Sequence, residues 1–116
     1  MNREIKFRIW NDYDKKMIYW NELLTNKLAN IFTIPSYNKW LMQYTGLHDK
    51  NGKEIYENDI VYVCSEDENA IIEWNEQIAR FIIHFDGWIA DFDNYYGKEL
   101  EIMGDIYNNP ELLGGE

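Results

Sequence analysis

The chain has 116 residues, with 21 acidic and 11 basic side chains, a formal net charge of −10 and one Cys. That length suits one domain over 1–116, and 46% hydrophobic residues with five Trp, nine Tyr and five Phe oppose disorder. A lone Cys excludes an intrachain disulfide or a Cys-rich zinc site, and the charge opposes broad binding to a phosphate backbone, which needs clustered Lys and Arg.

The first signal in chain order is strict alternation in Glu4-Ile5-Lys6-Phe7-Arg8-Ile9, which puts Ile5, Phe7 and Ile9 on one face of a strand. Lys6, Arg8 and Trp10 fall on the opposite, polar face. A polar turn over 11–16 and a return over Met17–Trp20 predict an N-terminal hairpin across 3–20. Residues 21–38 are read as irregular or a variable insert, with Asn21 capping a short helical turn and Ile31–Ile34 able to pair as a strand. From Trp40 the chain is extended. Asn51-Gly52 is the strongest short signal for a type I′ turn, and Glu57-Asn58-Asp59 is a second turn. Ile60–Cys64, Ala70–Trp74, Ile78–Phe85, Trp88–Phe92 and Glu99–Met103 read as strands separated by turn residues such as Asp86-Gly87. Pro110 precedes a terminal helical turn at Glu111–Leu113, and 114–116 are expected to be a flexible tail.

Seven or eight short strands without long helical periodicity predict a mainly β fold. The expected form is a small antiparallel β-barrel, or a partly open SH3-like barrel, with the N-terminal hairpin and short irregular or helical segments. Gly46, Asn51, Gly52, Asn58 and Asp59 are assigned to structural turns, and Gly104 to a bulge or a close backbone approach.

The stretches REIKFRIW, LMQYTGLHDKNGKEIYENDIVYV and ELEIMGDIYNNPELL, in that order, resemble the YopX family of small phage and prophage proteins. Asn58 departs from the glycine usual there, and 25–38 match nothing definite. The resemblance implies a β fold with a small barrel, a phage or prophage origin and the cytoplasm of an infected or lysogenic bacterial host. The family brings no established activity and no catalytic residues.

The residues themselves point to no reaction. Cys64, His84 and Asp86 are the one triad that can be assembled, and they lack a local signature. Asp86, Asp91 and Asp93 do not follow the spacing of a Ca²⁺ loop. No catalytic, cofactor-binding or metal-ligating residue is assigned, and no cofactor is expected. MNREIKFRIW lacks an apolar signal core, no run reaches ~20 apolar residues, and a cytoplasmic location off the membrane follows as the expectation. Trp10 and Trp88 are the candidate interface residues, because aromatic rings favour subunit contacts. The expected protein is a non-enzymatic phage accessory module that forms a homo-oligomer or binds a host or phage protein. The alternatives are an acidic inhibitor of a host nucleic-acid-binding protein and a small nucleic-acid-binding barrel, with direct nucleic-acid binding disfavoured by charge.

Overall fold

The computed structural model describes residues 4–25, 40–92 and 97–113. Among these residues there are nine strands: β1 (Phe7–Asn11), β2 (Lys16–Ile18), β3 (Leu41–His48), β4 (Glu54–Tyr56), β5 (Asp59–Val63), β6 (Glu68–Asn75), β7 (Arg80–Phe85), β8 (Trp88–Asp91) and β9 (Leu100–Asp105). Helix α1 (Trp20–Thr25) follows the first hairpin, and a 3₁₀ turn spans Pro110–Leu113. The strands form two antiparallel sheets, ordered β2-β1-β3-β4 and β8-β7-β6-β5-β9, the second curled as half of a barrel. The expected small, partly open β-barrel is the fold.

Alternation places the core. Val61 and Val63 of β5, Ala70 and Ile72 of β6, and Phe81, Ile83 and Phe85 of β7 line the inside of the second sheet, and Ile55 of β4 reaches the same cluster. Each fully buried side chain of this kind contributes ~1.5–3 kcal/mol, against ~0–1 kcal/mol for an exposed ion pair such as Arg80–Asp91. Apolar packing of the half-barrel therefore dominates its stability. β4 belongs to the first sheet and β5 to the second, so the turn between Tyr56 and Asp59 carries the chain from one sheet to the other. Asn58 in that turn has φ 68°, the left-handed conformation that glycine or asparagine tolerates.

The structure corrects several expectations. In β1 the supposed polar face is the inner one: Arg8 and Trp10 are buried, whereas Ile5 is exposed. Ile9 is also buried, because the other face of the sheet is covered by α1, whose Leu23 is buried in turn. Asn21 does not cap that helix; α1 begins at Trp20, with the Leu23 N–H donating to the Tyr19 carbonyl. Asn51-Gly52 does not form a type I′ turn, since Gly52 has φ 84° but Asn51 is not in the left-handed region. Asp49 explains the difference: one of its carboxylate oxygens accepts the N–H groups of Asn51 and Lys53, holding a wider loop with only Gly52 left-handed. Gly46, at φ 94°, lies not in a turn but inside β3, where the register shifts between Tyr44–Tyr56 and His48–Glu54. Gly104 does mark a bulge, between the pairs Ile60–Gly104 and Val61–Ile102. Expectations for 26–39 and 114–116, including a strand at Ile31–Ile34, lie outside the described residues.

Candidate functional site

The two sheets meet over a buried polar junction. Arg8 projects inward from β1, and one of its terminal nitrogens, Nη2, donates to the Glu57 carbonyl at 3.0 Å and to Asp59 Oδ1 at 3.0 Å. Asp59 opens β5 and takes the Tyr56 N–H on its other oxygen at 2.8 Å, capping the turn that precedes it. The guanidinium carbon lies 4.8 Å from the centre of the Tyr56 ring and 5.8 Å from that of Tyr19. A cation over tyrosine faces gains electrostatically once water is excluded. Arg8 Nε is buried and has no hydrogen-bond partner among the described residues.

Burial pushes the Asp59 carboxyl up to about 6, despite the pull of Arg8 and the Tyr56 N–H. Burial likewise raises Glu57, whose Oε1 accepts the Gln43 N–H. Removal of charge from water thus outweighs pairing at this junction, the usual balance for buried ion pairs. Asp49 behaves in the opposite way. Burial acts on it too, but backbone N–H bonds from Ile102, Lys53 and Asn51 hold it below the ordinary carboxylate range. Those bonds tie β9, the outer strand of the second sheet, to the loop before β4, the outer strand of the first.

Between β4 and β9 lies a cleft of about 420 Å³. Arg8, Asp59, Tyr19 and Tyr56 line it, with Glu54 from β4 and Met103 from β9. Lys6 forms an ion pair with Glu54, whose hydrogen bond raises the Lys6 pKa. Lys6 and Arg8 are therefore spent on inward pairs and do not form an exposed basic groove.

A second feature is the outer edge of the half-barrel. β8 pairs with β7 through Phe85–Trp88, His84–Ile89, Ile83–Ala90 and Ile82–Asp91. The Trp88 ring stacks on Phe85, with centroids 4.0 Å apart and planes at 4°, yet remains 40% exposed; Ile89 is 52% exposed.

Residues 6–114 match the family described as YopX protein. The chain belongs to the YopX family. It is also similar to the crystal structure of protein EF1440 from Enterococcus faecalis, with a TM-score of 0.67 and 23% identity over 97% of this chain and 99% of that one. That likeness concerns the fold. No curated protein matches.

The YopX chain scatters the groups that might have been a triad. Cys64 follows the end of β5 and is exposed. His84 lies two strands away, on the register Ile60–Ile71–His84. Two strand spacings and four residues along the strand separate them by about 16 Å. His84 instead contacts both carboxylate oxygens of Glu73 at 3.1 Å. Asp91 pairs with Arg80, and Asp93 lies outside the described residues. Among the described residues, no three His, Cys, Asp or Glu side chains converge as a metal site. Among the described residues, no helix is long and apolar enough to cross a membrane.

Of the two interface candidates, Trp10 offers no ring to a partner. It is 4% exposed, stacks on Tyr107 at 5.0 Å and donates its indole N–H to Asp12. Its place on the charged face of β1 had suggested exposure, but that face turns inward. Trp88 keeps its exposure. Sequence reasoning missed the Arg8–Asp59 junction because its members lie 51 residues apart and each looks like an ordinary surface charge.

Proposed function

We propose that this YopX protein is a non-enzymatic binding module that self-associates along β8. The observation that carries the reading is an outer strand bearing exposed Trp88 and Ile89, with Asp91 its only charge. Long-lived monomers normally guard such an edge with several charges, proline or a bulge. A second copy suits it. In the register centred on Ile89, two copies extending the sheet about a two-fold axis set Ile89 against Ile89 and Trp88 against Ala90 of the other chain. Both Asp91 carboxylates then sit at opposite ends of the joint, so the net charge of −10 does not bring like charges together there. The family's phage and prophage setting supports an accessory role in the cytoplasm of a bacterial host, where a host or phage protein is the competing partner.

Light scattering coupled to gel filtration tests this. A dimer is expected, and Ile89→Lys, which would oppose two cations on the axis, is expected to give a folded monomer. A strict monomer at every concentration, or an Ile89→Lys dimer, removes the proposal.

A further inference from the structure

We infer that a second cleft, on the outer face of the half-barrel, binds a lysine side chain of a partner protein. Its volume is about 350 Å³, room for one long side chain and the backbone that carries it. Alternation builds its floor. Ala70, Ile72, Ile83 and Phe85 belong to the core, so Ile71 of β6 and His84 of β7, which pair directly, face outward. The 3₁₀ turn Pro110–Leu113 forms a wall, held to β6 by the Asn69 side-chain amide, which donates to the Leu112 carbonyl at 3.1 Å. Leu112 and Leu113 therefore line the same cleft as Ile71, and Leu113 remains 41% exposed. These three side chains offer an apolar surface along which an unbranched alkyl stem can lie.

Charge selects the head group. Glu68, where β6 begins, and Asp86, just past the end of β7, line the cleft, and among the described residues no Lys or Arg does. Within the same residues neither carboxylate forms an ion pair, unlike Glu54, Asp59 and Asp91, which hold Lys6, Arg8 and Arg80. His84 brings no uncommitted cation, because its Nδ1 lies 3.1 Å from both carboxylate oxygens of Glu73. The cleft thus joins an apolar surface to unspent negative charge. An anion would meet both carboxylates, and a purely apolar chain would leave them without a partner. An alkylammonium uses both parts. Lysine suits the site better than arginine. The two carboxylates come from different strand ends, which a compact ammonium with three rotatable donors can address, whereas a guanidinium fork matches a single carboxylate. The free edge of β8 is not used, so the cleft stands or falls apart from self-association.

Backbone-amide NMR of the full chain tests the inference with the Nα-acetyl N-methylamides of lysine, norleucine and glutamate, and with cadaverine. Norleucine keeps the stem and lacks the ammonium. Cadaverine keeps both and lacks the peptide backbone. The lysine probe is expected to shift Ile71, His84 and Leu112 saturably and to bind about tenfold more tightly than norleucine, with no response to glutamate. Glu68→Gln combined with Asp86→Asn keeps side-chain shape and removes both charges, and the spectrum itself reports whether the fold is intact. That variant is expected to bind the lysine probe about tenfold more weakly, the loss of two partly shielded ion pairs. Equal binding of lysine and norleucine, an unchanged affinity in the double variant, or no shift at these residues overturns the inference. Tighter binding of cadaverine than of lysine overturns it as well, by assigning the cleft to a free diamine.

Discussion

Arg8 is the residue on which the two sheets depend most visibly. Removing one member of a buried pair leaves the other charge uncompensated, at a cost of about 3–5 kcal/mol. Arg8→Met is therefore expected to lose that much stability at neutral pH in a urea titration. The penalty should shrink as pH falls through the Asp59 value of about 6, because a neutral carboxyl needs no counter-charge. A penalty independent of pH would assign the loss to packing alone. Asn58 offers a smaller test at the same scale. Its φ of 68° costs an ordinary side chain about 1–2 kcal/mol. Asn58→Ala should lower stability by about that amount, while Asn58→Gly should leave it nearly unchanged. Equal effects would mean that the contact between the Asn58 amide and Tyr107, at 3.5 Å, matters more than the backbone.

Among the elements, β9 is held by features that one residue can disturb. A Cβ on Gly104 would lie 2.2 Å from Asn109 Oδ1 and 2.8 Å from its Cβ, so the segment after the strand would have to move. Gly104→Ala is expected to cost about 1–3 kcal/mol, typical of overpacking, and much less in an Asn109→Gly background. Additive effects in that double-mutant cycle would disprove the contact. The glycine was legible because it interrupts an otherwise alternating strand, and the hairpins were legible for the same reason: their pairing is local. β4 was not. It has three residues, and its place in the first sheet depends on Asp49 reshaping the preceding loop. The faces of β1 were misassigned because charge alternates with apolar residues equally well in a strand buried on both sides. Only Asp59 and Tyr107, distant in sequence, reveal that Arg8 and Trp10 point inward.

For the whole molecule, the net charge of −10 conceals carboxylates with opposite effects on stability. Asp59 and Glu57 have raised values in the fold, so the folded state holds their protons more tightly than the unfolded chain does. Stability then falls as pH rises from the ordinary carboxylate value, 3.8 for aspartate, through about 6. For Asp59 alone that span corresponds to ~3 kcal/mol. Asp49 is held low, so its contribution is complete above its ordinary value of 3.8 and disappears as acid protonates it. These opposed slopes place the maximum of thermal stability on the acid side of neutrality, between the two windows. Self-repulsion among the surface acids slopes the same way as Asp59, so the wild-type curve alone cannot separate them. Asp59→Asn can, because it changes the formal charge by one while removing the group that titrates near 6. Its melting temperature should vary much less between mildly acidic and neutral pH, with the steep acid limb of Asp49 unchanged. If the variant keeps the full neutral-side slope, dispersed surface repulsion rather than the buried junction governs how this YopX protein responds to pH.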